Sequence, residues 1–153
     1  MEQNVSILYV LLAIAGGAII PFHAGTNATF SRSVHSPIWA TLFSMGVSLA
    51  VVLVLLVVMK PQTPNTVTLQ NVPWWSWISG AIAVVYVVFT MLMAPKLGAG
   101  TFMASVIAGQ MICSILLDNY GLVGFKQHPI NWTKLIGVLL VIVGAFIVSI
   151  SNK

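Results

Sequence analysis

Long apolar runs separated by single charged residues dominate this chain. The charges stand at Glu2, Arg32, Lys60, Lys96, Asp118, Lys126, Lys134 and Lys153. Between them lie uncharged stretches at 3–31, 33–59, 61–95, 97–117 and 135–152. A helix needs about 20 mostly apolar residues to cross roughly 30 Å of hydrocarbon, and each stretch is long enough for one crossing. The intervals around Lys126 and Lys134 are too short and too polar. The pattern predicts an all-α integral membrane protein with five transmembrane helices, at about 4–30, 37–59, 73–95, 98–117 and 132–151. They would form a single transmembrane domain over 1–153, with no extramembrane domain. The first run begins after an acidic residue and continues beyond the length of a secretory signal core, so it is read as a retained helix.

The connectors carry turn chemistry. Ser36-Pro37 opens the second helix, where the missing N–H of proline costs nothing. Lys60-Pro61-Gln62-Thr63-Pro64-Asn65 is the clearest loop. Pro73 precedes Trp74, Trp75 and Trp77, and indole rings suit the headgroup zone at a span end. Gly98 to Gly100 leaves room only for a tight hairpin between the third and fourth helices, and 121–131 forms the last connector.

Composition narrows the class. Charged residues are 5% of the 153, against roughly 25% in soluble domains. Hydrophobic residues are 59%, and the mean hydropathy is +1.03. A soluble globule needs a charged shell that this chain cannot supply, which argues against a cytosolic enzyme and a disordered chain. The net charge of +4 rests on six dispersed Lys and Arg residues, so there is no basic patch for nucleic acid.

The cations also bear on topology. Five spans place the termini on opposite sides. Lys60, Lys126 and Lys134 then share the N-terminal side, and Arg32, Lys96 and Lys153 the other. Excess Lys and Arg in cytoplasmic loops normally sets orientation, and here the two sides carry three each. Either another property of the first helix sets orientation, or the protein inserts both ways and pairs as an antiparallel homodimer. Two inverted copies would build a ten-helix bundle like the inverted repeats of secondary transporters, with a site near the midplane.

Polar groups inside the spans are the candidate functional residues, because they are costly there and usually face the protein interior. In the first helix His23 and Asn27, four apart, share a face with Thr26 nearby, and Pro21 removes a backbone hydrogen bond and kinks the helix. His23 and Asn27 either hydrogen-bond between helices or line a substrate pathway. In the fourth helix Gln110, Ser114 and Asp118 form a polar stripe that ends in the one acidic residue near a span. Asp118 is either a solvated helix end or a buried carboxylate. Ser105, Gly109 and Cys113 have small-residue spacing and form a candidate helix-packing seam. Tyr86, on a face with Ser79, Ala83 and Thr90, is either an aromatic wall of a cavity or ordinary packing.

Other chemistry lacks its residues. No phosphate-binding loop is present. No pair of carboxylates is placed for acid–base catalysis. Three dispersed His and one Cys do not make a metal site. No cofactor and no enzymatic activity are expected.

Four stretches resemble the drug/metabolite transporter superfamily in its short five-helix bacterial branch, the YdcZ type. They are Gly17 to Asn27 with Ser36 to Ala40; Pro73 to Trp77 with Gly80 and Tyr86; Ala94 to Gly98 with Ala108 to Gln110; and Asp118 to Gly124 with Gly137 and Gly144. The resemblance implies short units that pair, often in opposite orientations, in a bacterial inner membrane. Two departures matter. The family usually carries Gln at the position of His23, and the mid-membrane Glu that couples protons in small multidrug resistance proteins is lacking. His23, then Asp118, are the candidates for proton or ion coupling, since imidazole titrates near neutrality.

The combined reading is a multi-pass secondary transporter of a small neutral, zwitterionic or lipophilic metabolite or drug. It would work by alternating access in an inverted homodimer, with His23, Asn27, Tyr86 and Gln110 along the substrate pathway. Its partners would be the lipid bilayer, a second copy of itself and the small-molecule substrate, with no nucleic acid. The alternatives are a narrow ion or solute channel and a non-transporting structural subunit.

Overall fold

The computed structural model describes residues 2–151, with side chains from Ile7 onward. Lys153 and the side chain of Glu2 therefore lie outside the described residues. All regular structure among the described residues is helical: α1 (Glu2–Ser33), α2 (Pro37–Met59), a short α3 (Thr66–Gln70), α4 (Ser79–Leu97), α5 (Ala99–Tyr120) and α6 (Trp132–Ser151). A 3-10 turn at Trp74–Ile78 runs into α4, and another occupies Leu122–Gly124. Five helical segments are long and apolar enough to span a membrane: Ile7–Ser33, Pro37–Met59, Trp74–Leu97, Ala99–Tyr120 and Trp132–Ser151.

Local chemistry sets the ends. α1 runs as one helix through Pro21 and stops at a Schellman-type cap beyond Ser33. There the Ser36 N–H reaches the Ser31 carbonyl at 3.2 Å and the His35 N–H reaches the Arg32 carbonyl at 3.3 Å. His35 occupies the left-handed position, with φ of 53°. Ser36 then caps α2: its backbone is extended and its hydroxyl accepts the Trp39 N–H at 3.3 Å, with Pro37 next in the first turn. In the loop after α2, Asn65 accepts the Thr68 N–H at 2.8 Å and nucleates α3. Gly98, with φ of +77°, is the single residue between α4 and α5. α5 continues to Tyr120 and takes Asp118 into its last turn, and Gly121 ends it in a left-handed cap with φ of +62°.

The chain divides into two compact units, one ending at Pro95 and the other beginning at Lys96. In the first, Ala40, Val87 and Met91 form the core, with Phe30, Val34 and Met45 packed against it. Phe43 lies beside both Phe30 and Trp39, at ring-centroid distances of 5.9 and 6.1 Å. Thr41 is buried too; its hydroxyl donates to the Pro37 carbonyl at 2.7 Å and its oxygen sits 3.8 Å from Met91 Sδ. In the second unit α5 and α6 pack along each other. Ala104, Ala108, Met111, Ile115 and Asp118 are among the half-buried positions of α5, and Lys134, Ile142 and Ala145 among those of α6, where Val138 is buried. These positions recur every three or four residues, as a packed helix face requires. Most other apolar side chains of the spans are exposed within the single chain, which matches helices bathed in lipid tails as apolar as themselves.

Candidate functional site

Inside the first span a side-chain contact joins His23 and Asn27. Their four-residue spacing on α1 puts one above the other. Asn27 is only 5% exposed, while His23 is exposed on the helix surface. The Asn27 amide Nδ2 lies 3.0 Å from His23 Nε2 and 3.4 Å from Nδ1. A buried amide thus orients an imidazole that remains open to approach. The amide N–H donates to an unprotonated ring nitrogen. A doubly protonated ring offers only donors, so the amide would have to turn its oxygen toward the ring to keep the bond.

His23 stands ten residues from the Ser33 end of its span, about 15 Å at 1.5 Å per residue. The pair therefore lies within the apolar first span, away from its ends. The Thr26 hydroxyl is within bonding distance of the Phe22 carbonyl at 3.0 Å and the His23 carbonyl at 3.1 Å. Its proton thus stays on the helix backbone and does not reach across to another helix.

Tyr86 lies elsewhere in the first unit. It lines an apolar hollow of about 540 Å³ on α4 with Ile78, Ala81, Ile82, Val85 and Phe89. The next turn of the helix contributes Val87, Thr90 and Met91 to burial, and the Thr90 hydroxyl donates to the Val87 carbonyl at 2.8 Å. Gln110 belongs to the second unit, where it and Ser114 are exposed. The stripe of Ser105, Gly109 and Cys113 is exposed as well, and a Cβ added at Gly109 would meet nothing within 4 Å. It is not the face that α5 turns toward α6.

Asp118 carries an ion pair: Lys134 Nζ lies 3.4 Å from its Oδ2, both side chains being about a third exposed, 38% and 35%. The pair is part of a bonded connector. The Asp118 carbonyl accepts the His128 N–H at 2.7 Å. The Asn119 carbonyl accepts from Gln127 Nε2 at 2.9 Å, and Asn119 Oδ1 accepts the Ile130 N–H at 3.2 Å. Sequence reading did not find this lock. Its one signal was opposite charge on the two flanks of the last connector, and the sixteen-residue separation becomes short only when α5 and α6 pack. The Arg32 bond to Thr29 on α1 was likewise missed.

Residues 8–147 match the family described as "Putative inner membrane exporter, YdcZ". No curated protein and no solved structure matches the chain. The family match covers all five spans almost end to end, and it agrees with the helical architecture and with the resemblance carried by the four sequence stretches. The chain belongs to the YdcZ family of inner membrane exporters and is a multi-pass membrane transport protein.

Proposed function

We propose that the protein is a secondary transporter for a small neutral, zwitterionic or lipophilic metabolite or drug, working by alternating access in an inverted homodimer of two five-helix chains. The observation that carries this reading is the His23–Asn27 pair: a polar, open group held inside the apolar first span by a buried amide. Transporter sites between inverted repeats are built from such groups within the membrane. The near absence of charge within the spans suits a substrate without a strong net charge. His23 offers a hydrogen bond or a proton, Asn27 positions it, and Tyr86 and Gln110 extend the pathway with an aromatic face and an amide. His23 is the coupling residue of first choice and Asp118 the second. The Ser105–Gly109–Cys113 stripe, unused within the chain, supplies a seam for the second copy.

The test is transport by protein reconstituted in liposomes, with substrates first found by ligand-induced thermal stabilisation. His23→Ala leaves the Asn27 amide without its partner and should lower transport about tenfold, the scale of one unmade buried hydrogen bond. His23→Gln restores an amide partner. It should keep transport within about twofold. Full activity in both variants would reject the assignment. Channel-like conductance in a planar bilayer would reject alternating access.

A further inference from the structure

α1 has two unlike faces. Ala24, Asn27 and Ala28 are buried. On the other side a groove of about 700 Å³ runs along the helix surface from Pro21 to Ser33, with Gly25 and Thr29 between the rings of Phe22 and Phe30. Gly25 contributes no side chain to it, and a Cβ placed there would meet nothing within 4 Å, so the surface is open at this point. Two of the three hydroxyls along the groove give their protons to the helix itself. Thr26 bonds back to α1 carbonyls, and Ser33 donates to the Thr29 carbonyl at 3.1 Å. What they present outward is methyl groups and acceptor oxygens.

The strong donor is at one end. Arg32 Nη2 donates to Thr29 Oγ1 at 3.0 Å, which brings the guanidinium to the rim of the groove. That bond uses one of five guanidinium N–H donors. Asp118, the one carboxylate whose side chain is described, is paired with Lys134 and does not compete for it. Arg32 lies in the last turn of α1, where the span ends and headgroups begin. From Ser33 to Pro21 the groove extends over twelve residues, about 18 Å at 1.5 Å per residue. One leaflet contributes about half of the roughly 30 Å hydrocarbon thickness. The groove is therefore as long as one acyl chain is deep, apolar along its length, and cationic at the headgroup level.

We propose that this groove is a binding site for an anionic phospholipid, with its phosphate on Arg32 and one acyl chain laid along Gly25 and Thr29 between the two Phe rings. Arg suits this task because its planar fork binds two phosphate oxygens at once. A second copy's helix is the competing occupant of the apolar part, and the dimer readout below separates it from lipid; the guanidinium at the rim is what favours an anionic lipid.

The full chain, purified in detergent, is offered an equimolar mixture of phosphatidylglycerol and phosphatidylcholine with matched acyl chains. Retained lipid is then counted by native mass spectrometry. One interfacial cation should give about a fivefold preference for phosphatidylglycerol. Arg32→Gln should bring the ratio near one, and Arg32→Lys should keep a preference, which controls for folding. Gly25→Leu should cut retention of both lipids, and millimolar inorganic phosphate should not displace them, because it lacks the acyl chain. Equal retention of the two lipids by the unmodified protein, or an unchanged preference in Arg32→Gln, would overturn the proposal. So would a Gly25→Leu variant that loses its dimer while keeping its lipid, since the groove would then be a protein seam. The readout is lipid retention, so it stands apart from whether transport is found.

Discussion

At the scale of single residues, backbone conformation marks the places where the chain is under constraint. His35, Lys60 and Val123 are the non-glycine residues with positive φ among those described. His35 and Lys60 sit just past helix ends, where a left-handed residue satisfies the last carbonyls. Val123 is different: it is β-branched, with φ of 56° and ψ of 33°, inside the turn that follows α5. A left-handed conformation costs a non-glycine residue about 1–2 kcal/mol. Its side chain is 58% exposed, so little packing offsets the strain. Val123→Gly should therefore raise stability by about 0.5–1 kcal/mol after the extra freedom of glycine in the unfolded chain is counted. Thermal or denaturant unfolding in detergent checks this, and a loss of stability would show that the valine side chain holds something in place. His23 was legible at this scale from the sequence alone, because a histidine inside an apolar span has few bland explanations. That it shares a face with Asn27 followed from the spacing; that the two bond to each other within α1, and that His23 is exposed, did not. Exposure depends on which side of α1 the rest of the unit covers.

At the scale of elements, the α5–α6 connector is the best-bonded loop in the second unit, and its parts are unequal. The Asp118–Lys134 pair is partly exposed, and such pairs contribute about 0.2–1 kcal/mol. Asp118→Asn should accordingly cost less than about 1 kcal/mol and leave the hairpin intact, since the backbone bond from His128 to the Asp118 carbonyl does not use the side chain. Gly121→Ala should cost more. The new Cβ would sit in a left-handed backbone with φ of +62° and would lie 3.3 Å from Gln127 Cβ. Backbone strain alone is about 1–2 kcal/mol there. Comparing the two variants by unfolding orders these contributions; an Asn variant worse than the Ala variant would reverse it. The five spanning helices were readable because each must satisfy its own backbone in hydrocarbon, which forces long apolar runs. Their ends were less readable. α1 and α5 each run three residues beyond the expected bound, through Ser33 and Tyr120, because polar residues such as Arg32 and Asp118 can belong to a last turn that already stands in the headgroup zone.

At the scale of the whole molecule, the question is how many orientations the chain adopts. The six cations divide evenly between the two sides under a five-span topology, so positive charge favours neither insertion. A reporter fused to the C-terminus should read from both sides of the membrane. Two lysines added within 61–65 should bias it to one side and abolish transport if the working unit is an inverted pair. A reporter confined to one side in the unmodified chain would remove the basis for that pair. The exposed stripe of Ser105, Gly109 and Cys113 belongs to the same question, since it is unused within the chain and its small residues allow close helix approach.

Hydrophobic pattern alone determined the class of this protein, the number of its spans and the candidate polar residues. Water and hydrocarbon impose those features on each segment separately, with no reference to its neighbours. Tertiary structure decided everything that depends on which face of a helix is covered. It buried Asn27 while leaving His23 open, and it turned Tyr86 toward its own apolar hollow. It joined Asp118 to Lys134 across a loop, and it left the Gly25–Thr29 face of α1 as a groove with Arg32 at its rim. Lipid is as apolar as a helix surface, so hydrophobicity does not choose between facing lipid and facing protein. That choice falls to packing shape and to the few polar partners, which become visible only when the helices are set side by side.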